Sequence, residues 1–173
     1  MNVSGERLDL EWLRGWCEQT SAALGAVMSS FLKTQFLKTH GFPPDENAII
    51  LATDESHEAT DALVDLTPIP SDLTTLYWVV REISWPDVEN GYFIHSASTV
   101  AAHFREYGAV QVDDESPGIV FASDGGGHLF AVAGSGRVWR STTASWFHEF
   151  EVAAASIQEF LEQIGRRVAD CRN

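Results

Sequence analysis

The chain has 173 residues, a formal net charge of −14 and 45% hydrophobic residues, including six Trp and ten Phe. That is ample material for one domain with a sizeable core, and too much for a disordered chain. With 11 Lys and Arg against 25 Asp and Glu, nucleic acid and anionic membranes are disfavoured as direct partners, because both are held by cations.

From Leu8 to about Thr39 the spacing predicts helix, with Trp12, Trp16, Leu24, Val27 and Phe31 on one face, Gly25 as a possible interruption, and Gly41 with Pro43 and Pro44 as the end. Ala48 to Thr53 reads as a short strand or a buried loop segment. Asp54 can cap a helix carrying Ala59, Leu63 and Leu66 on one side. After Pro68 and Pro70, Ser71 can cap a helix with a stripe of Leu73, Leu76, Tyr77 and Val80. Tyr92 to His95 reads as a strand. Ser98 reads as the cap of a helix bearing Val100, Phe104 and Tyr107, ended by Gly108.

The second half changes character. Val110–Val112, Ile119–Ser123, Leu129–Ala133 and Arg137–Arg140 are short apolar runs between turn residues, as in an antiparallel sheet, and Phe147–Val152 can add a strand. Ser156 and Glu159 form a capping box for a helix presenting Ile157, Phe160, Leu161, Ile164 and Val168. Helices gathered first and a meander second predict an α+β domain.

The segment Asp124-Gly125-Gly126-Gly127 could be a phosphate loop, a metal loop or a turn. A phosphate loop needs a Lys-Ser/Thr pair and a following helix, but strand sequence follows here and no lysine occurs after Lys38. A calcium loop needs oxygen ligands at alternate positions, and only Ser123 and Asp124 are at hand. A hairpin turn remains. Its preferred form puts positive φ on the central residues, Gly126 included, and extra glycines permit a bulge or a close backbone approach.

The six histidines show no HxH or HExxH spacing, so no metal site is expected, although distant ones could assemble one. An enzyme would need His95, His128 or His148 to converge with a carboxylate. Cys17 sits in a Trp-rich helical stretch and reads as an inert buried thiol. With Cys171 the only other cysteine, a reducing, cytoplasmic setting is expected. No secretory leader pattern and no apolar run of about 20 residues is present, so a membrane location is not expected. Asp113-Asp114-Glu115 and Ser141–Ser145 read as polar loops.

One asymmetry stands out. From Thr39 to Val80 there are eight Asp and Glu and no Lys or Arg. On a helix, Asp54, Glu58, Asp61 and Asp65 fall at intervals of four, three and four along one face. Such a row is either a solvated surface or a docking surface for a basic partner.

Five segments, in order, carry a resemblance: Ile69–Tyr77, Pro86–His95, Phe121–Phe130, Gly136–Trp139 and Ala155–Leu161. Together, over about residues 65–170, they resemble the SUKH superfamily, which includes the yeast cell-wall synthesis regulator and many bacterial toxin-immunity proteins. The resemblance implies a curved antiparallel sheet flanked by helices; residues 1–60 lie outside it and read, from their own pattern, as an added helical part. It implies no catalytic activity, with Asp124–Gly127 as a structural turn; no cofactor is expected. It also implies a protein partner, either a cognate toxin to be neutralised or, for an adaptor, some other protein.

Overall fold

The computed structural model describes residues 8–25, 27, 30–42, 47–112, 117–146 and 149–171. Among them, six helices accompany one seven-stranded sheet, so the fold is α+β. The strands β1 (Ala48–Leu51), β2 (Val80–Trp85), β3 (Tyr92–Ile94), β4 (Ile119–Asp124), β5 (Leu129–Val132), β6 (Val138–Ser141) and β7 (Phe150–Ala154) pair antiparallel in simple sequence order. Neighbours in the sheet are thus neighbours in strand order, although helical segments intervene between β1 and β2 and between β3 and β4.

Side chains alternate between the two faces of the sheet. Ile119, Phe121, Phe130, Val132 and Val138 join the main core beneath the helices. Val120, Ala131 and Trp139 face the other way, into a smaller cluster with Val110, Val112 and Phe150.

The helices are α1 (Leu10–Leu24), α2 (Ser30–His40), α3 (Asp54–Leu66), α4 (Ser71–Val79), α5 (Ala97–Tyr107) and α6 (Ile157–Asp170). α1 starts at Asp9, whose carboxylate accepts the Trp12 amide at 2.8 Å, and its Leu13, Trp16 and Cys17 are buried in the main core. Trp16 packs 6.0 Å from Trp85 of β2. Gly165 of α6 admits this indole, because a Cβ there would lie 2.9 Å from Trp16 Nε1. α1 therefore shares the core of the rest, and β1 extends the same sheet.

The helical stretch from Leu8 to Thr39 is interrupted at Gly25, as that glycine suggested, and forms two helices. The side chain of Phe31 and the residues Pro43 and Pro44 lie outside the described residues. Several sequence expectations are corrected. Thr53, not Asp54, caps α3: its hydroxyl accepts the Ser56 amide at 3.2 Å while Ser56 Oγ accepts the Thr53 amide at 2.8 Å. α4 begins after Pro70 and stops at Val79, where the chain turns directly into β2, a strand that sequence reading left out. Ser96 rather than Ser98 caps α5. Val110–Val112 makes only a two-bond bridge from Val110 to Gly118. The last strand lies at Phe150–Ala154, while Phe147 is outside the described residues. In the capping box of α6 the Glu159 amide meets Ser156 Oγ at 3.1 Å, but Glu159 Oε2 accepts from Ala155, one residue earlier than expected.

Candidate functional site

The buried face of α3 is Ser56, Thr60 and Leu63, and it lies against α4 and α5. At 100° per residue, Asp54, Glu58, Asp61 and Asp65 fall diametrically opposite, and all four are exposed. Glu55 is exposed beside them. Among the described residues these carboxylates form no ion pair; the pairs seen are Arg81–Glu82, His128–Asp124, Arg140–Asp124 and Arg167–Glu89. α3 has no basic residue in its last turn either. The row of four is thus an uncompensated negative surface on a helix held rigidly from behind.

Next to this row lies a feature that spacing could not show. His57 stacks on Trp78, the penultimate residue of α4, with ring centroids 3.9 Å apart and planes 8° from parallel. The carbonyl of Trp78 can only accept, so His57 Nε2 donates to it, at 2.9 Å. The indole remains 50% exposed.

The Asp-Gly-Gly-Gly segment is the β4–β5 turn. The Gly127 amide donates to the Asp124 carbonyl at 3.1 Å, and Asp124 Oδ1 accepts the amides of Gly126 at 2.9 Å and His128 at 3.0 Å. Arg140 Nη2 reaches Asp124 Oδ2 at 3.3 Å. Burial pushes the Asp124 carboxyl up, but these donors outweigh it and hold it below its ordinary range. The carboxylate is consumed in holding the turn. The expected positive φ falls on Gly127 (87°), not on Gly126, because the turn carries a third glycine in the left-handed position. Gly125 serves the other purpose glycine allows. Its amide donates to the Gly91 carbonyl at 3.0 Å, and a Cβ would overlap the Asn90 carbonyl oxygen.

The histidines separate into different surroundings. His128 Nδ1 lies 3.3 Å from Asp124 within the turn. His95 Nε2 lies 2.9 Å from Ser123 Oγ, a serine–histidine contact that sequence reading missed because 28 residues separate the two. Ser123 and Asp124 are successive strand residues and face opposite sides, so the two histidines do not share a site. Burial, assisted by neighbouring His103, lowers His95 to about 4. Its Nδ1 is buried and, among the described residues, has no hydrogen-bond partner, so no described carboxylate orients the ring as a serine nucleophile would require. His148 lies outside the described residues. Among the described residues no three His, Cys, Asp or Glu side chains are grouped to hold a metal.

Cys17 is buried, and its thiol is pushed up to about 11 by that burial and by Glu18, so it is protonated at neutral pH. A cavity of about 260 Å³ beside α3 is lined by Ser56, Thr60, Tyr77, Arg81 and Ser96, with Arg81 engaged by Glu82 at 2.6 Å. Among the described residues no helix is long and apolar enough to cross a membrane. The acidic run Asp113–Glu115 lies outside the described residues. No protein-family model matches the sequence, and no curated protein matches it.

Proposed function

We propose that this chain is a non-catalytic, cytoplasmic protein-binding domain of SUKH type, acting as an immunity protein that neutralises a basic bacterial toxin. The observation that carries the reading is the exposed row Asp54, Glu58, Asp61 and Asp65, uncompensated and backed by a packed helix. Aligned like charges raise the rate at which a basic surface is captured and cover a groove built to attract nucleic acid. The segments that carry the family resemblance fall on α4, the β2–β3 connection with β3, the β4–β5 hairpin, β6 and the start of α6, which is compatible with one sheet-and-helix unit.

The test has two stages. Tagged protein recovers its partner from host lysate at low salt, and the partner is expected to be basic, stoichiometric and to carry a toxin-like domain. Association of the purified pair is then compared with the Asp54→Lys, Glu58→Lys, Asp61→Lys and Asp65→Lys variant. The expected loss in association rate is about tenfold or more at low salt. An unchanged rate removes this face from the interface, and a non-toxin partner replaces immunity with an adaptor role.

A further inference from the structure

The acidic row alone would steer a partner without deciding which cation it prefers. Trp78 adds that selectivity. Its indole is half exposed, although a tryptophan offers more apolar area than any other side chain and is ordinarily well covered. It is also immobilised. The ring is stacked on His57, and His57 is pinned by its bond to the Trp78 carbonyl, so both rings are held before anything binds. A rigid aromatic loses little conformational entropy when a partner covers it, which is why such residues dominate interface energetics.

Charge identifies what covers it. His57 lies on α3 between Asp54, three residues before, and Asp61, four residues after, so both carboxylates share its side of the helix. Val64, seven residues on and 44% exposed, continues the same stripe. A half-exposed indole stacked on a histidine that carboxylates flank matches a planar cation, which can lie on the indole while its N–H groups reach toward the acids. Guanidinium has that shape; the ammonium of lysine is a strongly hydrated point charge.

We infer that Trp78, stacked on His57 with Asp54 and Asp61 flanking that histidine on α3, is an arginine-docking platform that anchors the basic protein partner of the α3 face. The inference rests on the binding role proposed above. It adds that the face selects arginine over lysine, and that the selection resides in one side chain outside the acidic row.

Oligoarginine and oligolysine peptides of equal length and charge test this by titration at low salt, against the full chain. Arginine peptide is expected to bind about two- to fivefold more tightly, the increment of an exposed cation–π contact. Trp78→Ala should abolish that ratio while leaving lysine-peptide affinity in place, and Trp78→Phe, which keeps a ring, should restore part of it. The fourfold lysine variant of the acidic row should weaken both peptides alike. If Trp78→Ala leaves the arginine-to-lysine ratio intact, the platform is refuted and the acidic face still stands. If the charge reversal weakens neither peptide, the acidic face is refuted and the platform with it. Thermal unfolding of Trp78→Phe provides the check that the fold is retained.

Discussion

Gly125 and Gly126 are adjacent in one turn, yet substitution should affect them very differently. A methyl group on Gly125 collides with backbone, the Asn90 carbonyl oxygen, which cannot yield without opening the β2–β3 connection. On Gly126 the nearest atoms are His128 Nδ1 at 3.3 Å and Asp124 Oδ1 at 3.4 Å, both on side chains. Gly125→Ala should therefore cost about 2–3 kcal/mol in denaturant unfolding and Gly126→Ala less than about 1 kcal/mol, the range separating overpacked from adaptable sites. Equal costs would mean that the backbone approach is not tight. His95 gives a second expectation at this scale. Its value of about 4 in the folded protein lies below the ordinary 6.5. Between those values the unfolded chain binds a proton that the folded chain refuses, so stability is lost as pH falls through that window and the loss levels off below it. Stability measured from pH 7 down to 4 should fall more steeply for the wild type than for His95→Asn. Parallel curves would show that the ring is better hydrated than its burial implies.

At the scale of elements, α3 carries its charges in an order that costs stability. Asp54 is in the first turn, where the helix dipole favours an acid, but Asp65 is in the last turn, where it is disfavoured, and no base accompanies it. Asp65→Lys reverses that term and creates a pair with Asp61 four residues earlier, so it should raise stability by about 0.5–1 kcal/mol. If the row is an interface, the same change slows partner association; gained stability with unchanged association would mark Asp65 as peripheral. The acidic row was legible in the sequence because four-, three- and four-residue spacing is a local property of a helix. The Trp78 platform was not, since the stack joins α3 to the end of α4 across 21 residues. The α4-to-β2 junction escaped for another reason. Leu76, Tyr77, Trp78, Val79 and Val80 are apolar without a break, so periodicity does not mark where helix passes into strand, and no Gly or Pro separates them. α6, the β4–β5 hairpin and the end of α5 were legible because their signals are local: a capping serine, an Asp-Gly pair, and a glycine at 108, which takes φ 76° in the structure.

For the whole molecule the governing quantity is the formal charge of −14. Much of it sits on exposed helix surface, where like charges repel one another and destabilise the compact state. Added salt shortens the screening length from about 10 Å at 0.1 M to about 3 Å at 1 M, and so relieves that repulsion. The isolated chain should therefore gain thermal stability between low and high salt. If α3 docks a basic partner as proposed, the same screening removes the attraction that brings it there, so association should slow over the same interval. Opposite signs in one salt titration separate the two roles of the charge, because a merely solvated surface would produce the gain in stability without any loss of binding rate. Circular-dichroism melting of the free chain, paired with stopped-flow association at matched ionic strengths, reads both. If stability and association rate rise together, the partner is held by apolar contact, the acidic row serves only to keep the chain in solution, and the interface must be sought on another face.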